Sequence, residues 1–524
     1  MKILLLEHPR SHRPERCNDI ANTPLSSCLL TGYAAAMLLE EGHEAEVIEG
    51  HMDRLSYPDI RRKIAAFAPD ILGVHMVYHW EEDKRLAGFL RRIKKEGAAP
   101  FIAAYGYYPT FAFRQILAGF GALDAVALGE PELTFAALAK SIAGGRGSLN
   151  KIPGLSVRSG GKIFTSSPPR VARDPDTLPF PFRTAALWRL PEVNLLGSRG
   201  CYGRCTFCHI NSFFGGAPRS PSPWRGRSPE NIVMEIDALI AEKGKRDFYF
   251  TDPNFFGPGA GGQQRALRLA GMLEERDIRF GIEARANDIR DESIGALARA
   301  GLRHILVGLE SGSGRSLLRM GKMTTVQDNE EALRTLRRHG IEPNVGFIMF
   351  EPDSTLEDIE TNFRFLKRNR LLENLPVSAN VLYHHQIILR GTQAFDALRK
   401  EGRLRMETSH EGRALFREPA VETLANVMER ATNLLFLRMD GIWSGRRPAP
   451  LGAHKTYAEI NEYLVRLFEN TLGRLLRGEN IPDEVDFIAR VEEEFLTLTG
   501  KLEPAPVPFR EGRMGKDENF RRRG

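Results

Sequence analysis

The sequence predicts an α/β chain: two successive strand–helix series, then a helical region. Three observations carry this. Short apolar runs alternate with helical stretches over residues 1–145 and again over 191–395, and from 396 onward amphipathic helices take over. With 524 residues the chain is too long for one hydrophobic core, so several domains are expected.

In the first series the strand candidates are Lys2–Leu6, Glu44–Ile48, Asp70–Val74, Pro100–Ala104 and Leu123–Leu128, with a helix over Leu29–Glu41 stopped by Gly42. This rhythm predicts a parallel, Rossmann-like sheet with helices on both faces and ligands beyond the carboxyl ends of its strands. Residues 146–190 are rich in Gly, Ser and Pro and read as a linker. Within it, Leu178-Pro179-Phe180-Pro181-Phe182 forms a stiff, extended crossing.

In the second series the candidates are Val193–Leu196, Asp247–Thr251, Phe280–Ala284, His304–Leu309, Asn344–Phe350 and Val377–Leu382. Six such units suggest a partial (β/α)6 barrel. One of its helices has a clear start, with Ser228 as N-cap, Pro229 in the first turn and Glu230 beside the dipole. Ile232, Val233, Ile236, Leu239 and Ile240 make its apolar face. Residues 396–524 hold helical stretches near Val421–Leu437, Tyr457–Leu476 and Glu484–Leu496, read as a cap over the barrel, and Pro504, Pro506 and Pro508 then end regular structure.

Composition narrows the class. Hydrophobic content of 42% and charge of 27% are ordinary for a soluble domain, and a net charge of +6 is small for this length. Arg521, Arg522 and Arg523 read as a solvated tail, so no nucleic-acid partner is expected. No run of about 18 apolar residues exists, so no membrane-spanning helix is expected either. The opening Met1-Lys2-Ile3-Leu4-Leu5-Leu6-Glu7 reaches an acid too soon for a signal peptide and reads as a buried strand. Five cysteines do not make a disulfide framework, and three of them fall within eight residues, which suggests a metal site in a reducing cytoplasm. Cys17 and Cys28 stand apart and read as incidental thiols.

The three are Cys201, Cys205 and Cys208, in Gly200-Cys201-Tyr202-Gly203-Arg204-Cys205-Thr206-Phe207-Cys208, spaced C-x3-C-x2-C. Thiolates are soft ligands that suit zinc or iron–sulfur. Structural zinc wants four ligands, and His209 is the alternative fourth. Three cysteines alone would leave one iron of a 4Fe–4S cubane open.

This motif and the strands after it resemble the radical S-adenosylmethionine superfamily over about 191–395. The resemblance implies that the three cysteines hold a 4Fe–4S cluster and that S-adenosylmethionine chelates the open iron. One electron from the cluster then cleaves the sulfonium. It implies a role beside the adenine for Phe207. The stretch Phe248-Tyr249-Phe250-Thr251-Asp252-Pro253-Asn254-Phe255 is similar to the second-strand motif, with Pro253 replacing an acid, so Asp252 or Asn254 must serve. Ile282-Glu283-Ala284-Arg285 resembles the third-strand motif, where Glu283 and Arg285 bind an amino-acid head group. Val307-Gly308-Leu309-Glu310-Ser311-Gly312 and Met320-Gly321-Lys322 resemble the fourth-strand segment, with Glu310 a ligand-binding acid.

The N-terminal series resembles the cobalamin-binding domain that precedes one radical subgroup. The carrying residues are Leu29–Leu39, Tyr105-Gly106-Tyr107-Tyr108-Pro109 and Asp124-Ala125-Val126-Ala127-Leu128-Gly129-Glu130-Pro131-Glu132, which imply cobalamin contacts at Tyr105, Gly106, Gly129 and Glu130. The D-x-H-x-x-G motif, whose histidine ligates cobalt, is missing, and His75 and His79 are isolated. No histidine is therefore expected beneath the cobalt.

Together these imply a cobalamin-dependent radical S-adenosylmethionine methyltransferase. It would act on an unactivated centre of a small molecule in natural-product or cofactor biosynthesis, with an electron donor such as flavodoxin or ferredoxin. The alternative is a cyclase or rearrangement enzyme with the same cofactors. Methylthiotransferase chemistry needs three further cysteines for a second cluster, and Cys17 and Cys28 are too few and unsuitably placed. A non-enzymatic cofactor carrier would show no S-adenosylmethionine turnover.

Overall fold

The computed structural model describes residues 1–10, 29–76, 82–96, 100–145, 149–215, 224–443, 448–449, 453–479, 481 and 484–500. Cys17, Cys28, His79, Pro504, Pro506, Pro508 and Arg521, Arg522 and Arg523 lie outside the described residues.

The first sheet is built from β1 (Lys2–Glu7), β2 (Glu44–Glu49), β3 (Ile71–His75), β4 (Phe101–Tyr105) and β5 (Ala125–Ala127), all parallel, in the order β2-β1-β3-β4-β5. β1, β3 and β4 are covered on both faces, which is why they read as continuous apolar runs rather than alternations. The strand order reverses between β1 and β3. A doubly wound sheet opens its ligand crevice at such a point, and here Glu7 stands opposite His75.

The expected linker over 146–190 is partly sheet. β6 (Leu155–Ser159) pairs antiparallel with β5, and β7 (Lys162–Thr165) pairs with β6. Between them Gly160 and Gly161 have φ of 55° and 75°, the left-handed values that a two-residue hairpin turn requires. The Gly-Gly pair that resembles linker composition is thus a turn signal. The Pro-rich crossing is held in place: Phe182 N donates to Gly32 O at 3.0 Å, and Leu178 packs with Leu29, Tyr33, Met37 and Leu196.

The second sheet takes β8 (Val193–Leu195), then a short pair of β9 (Ser198–Arg199) and β10 (Arg225–Gly226) stands beside it. β11 (Asp247–Phe250), β12 (Arg279–Arg285), β13 (Leu302–Glu310) and β14 (Asn344–Phe347) complete the parallel order β14-β13-β12-β11-β8. The helix Pro229–Lys243 starts as expected, with the Ser228 side chain accepting from Asn231 N. The sixth strand expected at Val377–Leu382 is instead a helix, Leu375–Val381. A short apolar run fits a strand and a buried helix alike, and Pro376 in its first turn decides for helix. In place of a sixth strand there is one parallel bridge, Phe350 to His385. The barrel therefore has a lateral gap beyond β14.

Past the barrel, β15 (Ile388–Leu389), β16 (Leu404–Met406) and β17 (Glu411–Ala414) form a small antiparallel sheet inside the segments expected to be barrel edge and helical cap. The helices Pro419–Trp443, Ala453–Leu476 and Glu484–Gly500 follow, and Leu424, Met428, Leu464, Phe468 and Phe495 on them join the barrel's own core. Among the described residues no helix is long and apolar enough to cross a membrane.

Candidate functional site

The cysteine loop leaves β9 through Gly200, whose φ of 75° turns the chain into Cys201. Four hydrogen bonds fix its shape. Cys201 N donates to Asn211 Oδ1 at 3.1 Å, and Asn211 Nδ2 donates to Gly203 O at 2.6 Å. Thr206 N donates to Met320 O at 2.8 Å, and Ala394 N to Thr206 O at 3.0 Å. Asn211, which no sequence signal singled out, is the strap across the loop.

The sulfurs have donors in reach. Gly203 N donates to Cys201 Sγ, and Arg285 Nη1 to Cys205 Sγ, each at 3.3 Å. A Cβ at Gly203 would stand 2.4 Å from Arg285 Nη1, so a side chain there would push the Arg285 guanidinium from its place. The Cys208 side chain faces a cavity, yet burial among protein atoms and the neighbouring Cys205 and Cys201 thiols push it up to about 12. Three sulfurs on one loop, two of them supplied with N–H donors, suit the ligation of an iron–sulfur cluster. His209 turns instead toward Tyr107 and Phe111, with ring centroids 5.0 and 5.3 Å apart. The His209 ring is thus engaged with rings of the first half rather than turned to the cysteines.

The expected ligand-binding residues divide into two sets. Asp252 and Asn254 are fully buried behind the loop rather than facing open space. Asp252 Oδ1 accepts from Gly197 N at 2.7 Å, and burial, offset by Arg265, moves its carboxyl up to about 6. Asn254 Nδ2 donates to Asp288 at 3.0 Å and lies 4.0 Å from Cys201 Sγ. Arg285 also belongs to this support. It donates to Lys322 O and lies over the Tyr202 ring at 5.3 Å, so it is not paired with Glu283. Glu283, two residues away on β12, turns into the barrel interior, where it accepts from Tyr249 OH at 3.2 Å. Burial pushes its carboxyl up to about 7.

Phe207 and Glu310 face a cavity of about 760 Å³, as does Cys208. Phe436 and Trp443 of the helix Pro419–Trp443 also line it. His384, His385 and Gln386 line its far wall. Sequence reading missed them because it placed a sixth strand just before them, although that strand's carboxyl end would have pointed to the same place. Glu310 has φ of 64°, a strained value for a residue with a side chain, and is held by Lys322 Nζ at 2.8 Å.

The four residues expected to contact cobalamin each have a protein neighbour. Tyr105 is buried, its hydroxyl 2.8 Å from Thr31 Oγ1. Gly106 has φ of 113° and lies against the His75 ring, where a Cβ would stand 2.7 Å from Cδ2. Gly129 lies under the Phe213 carbonyl, 3.1 Å from where its Cβ would be. Glu130 acts as a clamp between strands. It pairs with Arg199 of β9 and Arg225 of β10, while Glu132 holds Arg199 Nη2 at 2.7 Å. All four side chains are buried, and burial alone would lower the Arg199 pKa, but the carboxylates of Glu132 and Glu130 more than reverse this. Tyr107, at the start of the helix after β4, adds a stack on Phe213 at 4.0 Å, so the first half packs on the helix that follows the cysteine loop.

Residues 195–366 match the Radical SAM superfamily, and this part of the chain is a radical SAM domain. An uncharacterized methyltransferase of Pyrococcus horikoshii is 28% identical over 376 residues, which is 70% of this chain and 78% of that protein. An anaerobic magnesium-protoporphyrin IX monomethyl ester cyclase of Synechocystis is 27% identical over 356 residues, 65% of this chain and 67% of that one. The solved structure of OxsB, a cobalamin-dependent S-adenosylmethionine radical enzyme, has a TM-score of 0.76 at 21% identity. That match covers 96% of this chain and 79% of OxsB, so the fold is shared along nearly the whole length.

Proposed function

We propose that this radical SAM enzyme is a cobalamin-dependent methyltransferase that modifies an unactivated centre of a small molecule in natural-product or cofactor biosynthesis. The observation that carries the reading is the contact between the two halves: the carboxyl edge of the first sheet lies on the segments flanking the loop of Cys201, Cys205 and Cys208, through Tyr107 on Phe213 after it and Glu130 on Arg199 before it. An ordinary nucleophilic acceptor would need neither sheet nor cluster. When bound, the cluster and the corrin would supply a substrate radical and a transferable methyl group. The chain's own residues hold, orient and shield. The three cysteines would hold the cluster, with Gly203 donating to Cys201 Sγ and Arg285 to Cys205 Sγ. Phe207 and Glu310 would orient S-adenosylmethionine beside Cys208, and the apolar rings of Phe436 and Trp443 would exclude water. Glu283 and Tyr249 offer polar contacts inside the barrel.

The corrin would lie at the switch point between β1 and β3. Arg10 Nε, buried there, has no hydrogen-bond partner among the described residues and is a donor for it. His75 is packed on both edges, its Nδ1 2.8 Å from Glu7 Oε2 and its other edge on Gly106. Electron paramagnetic resonance of the cob(II)alamin form should therefore lack nitrogen superhyperfine splitting from a protein histidine. Such splitting would overturn this placement of His75.

Methyl-labelled S-adenosylmethionine tests the reaction. The label should reach cobalamin first and product next. Unlabelled product accompanied by 5′-deoxyadenosine would favour the cyclase reading instead, which the Synechocystis relative supports.

A further inference from the structure

Cleaving S-adenosylmethionine at a cluster consumes an electron, so something must dock close to the cysteine loop. Resting on the radical SAM reading above, we propose that the surface formed by Arg204, Leu318 and Met323 is the docking site for a small acidic flavodoxin.

The segment that carries Leu318 and Met323 is bonded to the cluster loop. The helix Gly314–Arg319 ends in a Schellman cap: Lys322 N donates to Leu317 O and Gly321 N to Leu318 O, each at 3.0 Å, and Gly321 takes φ of 60°. This cap presses Gly321 onto the Arg204 carbonyl, where a Cβ would stand 2.9 Å away. Met320 O accepts from Thr206 N of the loop. Lys322 O accepts from Arg285, whose other nitrogen is 3.3 Å from Cys205 Sγ. An electron arriving at this segment thus has a hydrogen-bonded route of one side chain to a cluster ligand.

The same segment presents apolar groups outward. Leu318 is 83% exposed and Met323 is 60% exposed, both unusually high for residues of their size. Met323 also holds φ of 57°, a left-handed value that costs free energy in a residue with a side chain. Between Cys201 and Cys205 stands Arg204, exposed and engaged in no ion pair among the described residues. Arg315, Arg319 and their acid partners Glu351, Glu357 and Asp358 border the patch, but those charges are mutually paired, which leaves Arg204 as the uncompensated one.

An apolar pair beside an unneutralised cation fits a carrier that presents an apolar ring edge within an acidic rim. That is the surface of a flavodoxin, whose flavin edge is exposed; a ferredoxin covers its cluster with polypeptide. In the step the flavin hydroquinone is oxidised by one electron and the cluster is reduced by one.

The test uses the full chain with its cluster reconstituted anaerobically, and follows cluster reduction optically. Flavodoxin hydroquinone is the docking reductant, and dithionite is a small reductant that needs no docking site. Leu318→Glu and Met323→Glu should each slow reduction by flavodoxin by about ten-fold, and leave dithionite reduction within about two-fold of the parent. Arg204→Gln should flatten the ionic-strength dependence of the flavodoxin rate. Flavodoxin rates unchanged in both glutamate variants would overturn the site. Equal slowing with dithionite would also overturn it, by making these residues supports of the cluster. A parent reduced by ferredoxin but not by flavodoxin would overturn the choice of carrier. A parent that binds no cluster would instead fail the radical SAM reading itself.

Discussion

Alanine at any one of Cys201, Cys205 or Cys208 is expected to abolish cluster binding and all S-adenosylmethionine cleavage, while the chain stays folded. Each sulfur sits on a loop whose shape is set by other groups: Asn211 across Cys201 and Gly203, Met320 and Ala394 on Thr206. Removing one sulfur leaves these bonds in place and gives up only the N–H contacts to that sulfur, chiefly from Gly203 at Cys201 or Arg285 at Cys205, so it costs little stability. The ligand set has no reserve. His209, the nearest other donor, is committed to the ring cluster with Tyr107 and Phe111. Anaerobic reconstitution of the parent should give about four irons per chain and the variants close to none. About eight irons in the parent would reveal a second cluster and overturn the ligand assignment. Near-parental iron in a single-cysteine variant would do the same. Far-ultraviolet circular dichroism unchanged in all three variants separates lost ligation from lost fold.

Much of this was legible because it is local. A C-x3-C-x2-C spacing names its chemistry without tertiary information, and buried parallel strands announce themselves as apolar runs. Ser228-Pro229 marked a helix start because capping depends on two or three neighbouring residues. What failed was non-local. Whether Val377–Leu382 becomes strand or helix depends on an edge that sequence does not show. Asp252 and Arg285 stand where ligand-binding residues are expected, but whether a side chain on such a strand faces the cavity or the back of the loop is decided by packing across several elements. Glu130 is the sharpest case. A Gly-Glu-Pro-Glu turn at a strand's carboxyl end looks like a ligand loop, and its true partners, Arg199 and Arg225, are about 70 and 95 residues away in sequence.

That reassignment leads to the second large effect: Glu130→Ala should destabilise the protein before any cofactor is present. Glu130 bridges two buried guanidinium groups on paired strands, Arg199 and Arg225 standing opposite each other in register. Without it, Arg199 keeps Glu132 at 2.7 Å and the Tyr33 ring at 4.6 Å. Arg225 keeps only neutral acceptors, chiefly Ala172 O at 2.6 Å. Breaking a buried pair from one side strands the remaining charge, and the usual cost is about 3–5 kcal/mol. That is a large fraction of the roughly 5–15 kcal/mol by which a domain is stable. The loss should appear as a lower first transition in thermal unfolding of cofactor-free protein, and Glu130→Gln, which keeps the shape without the charge, should recover only part of it. A residue that merely touched cobalamin would behave oppositely, with unfolding unchanged in the cofactor-free protein and only corrin affinity reduced. Since Cys201 follows Arg199 by two residues, the clamp also ties the first sheet to the start of the cysteine loop. The same variant should therefore reconstitute less iron despite an intact set of cysteines, and full iron with an unchanged first transition would show that Glu130 does not hold the halves together.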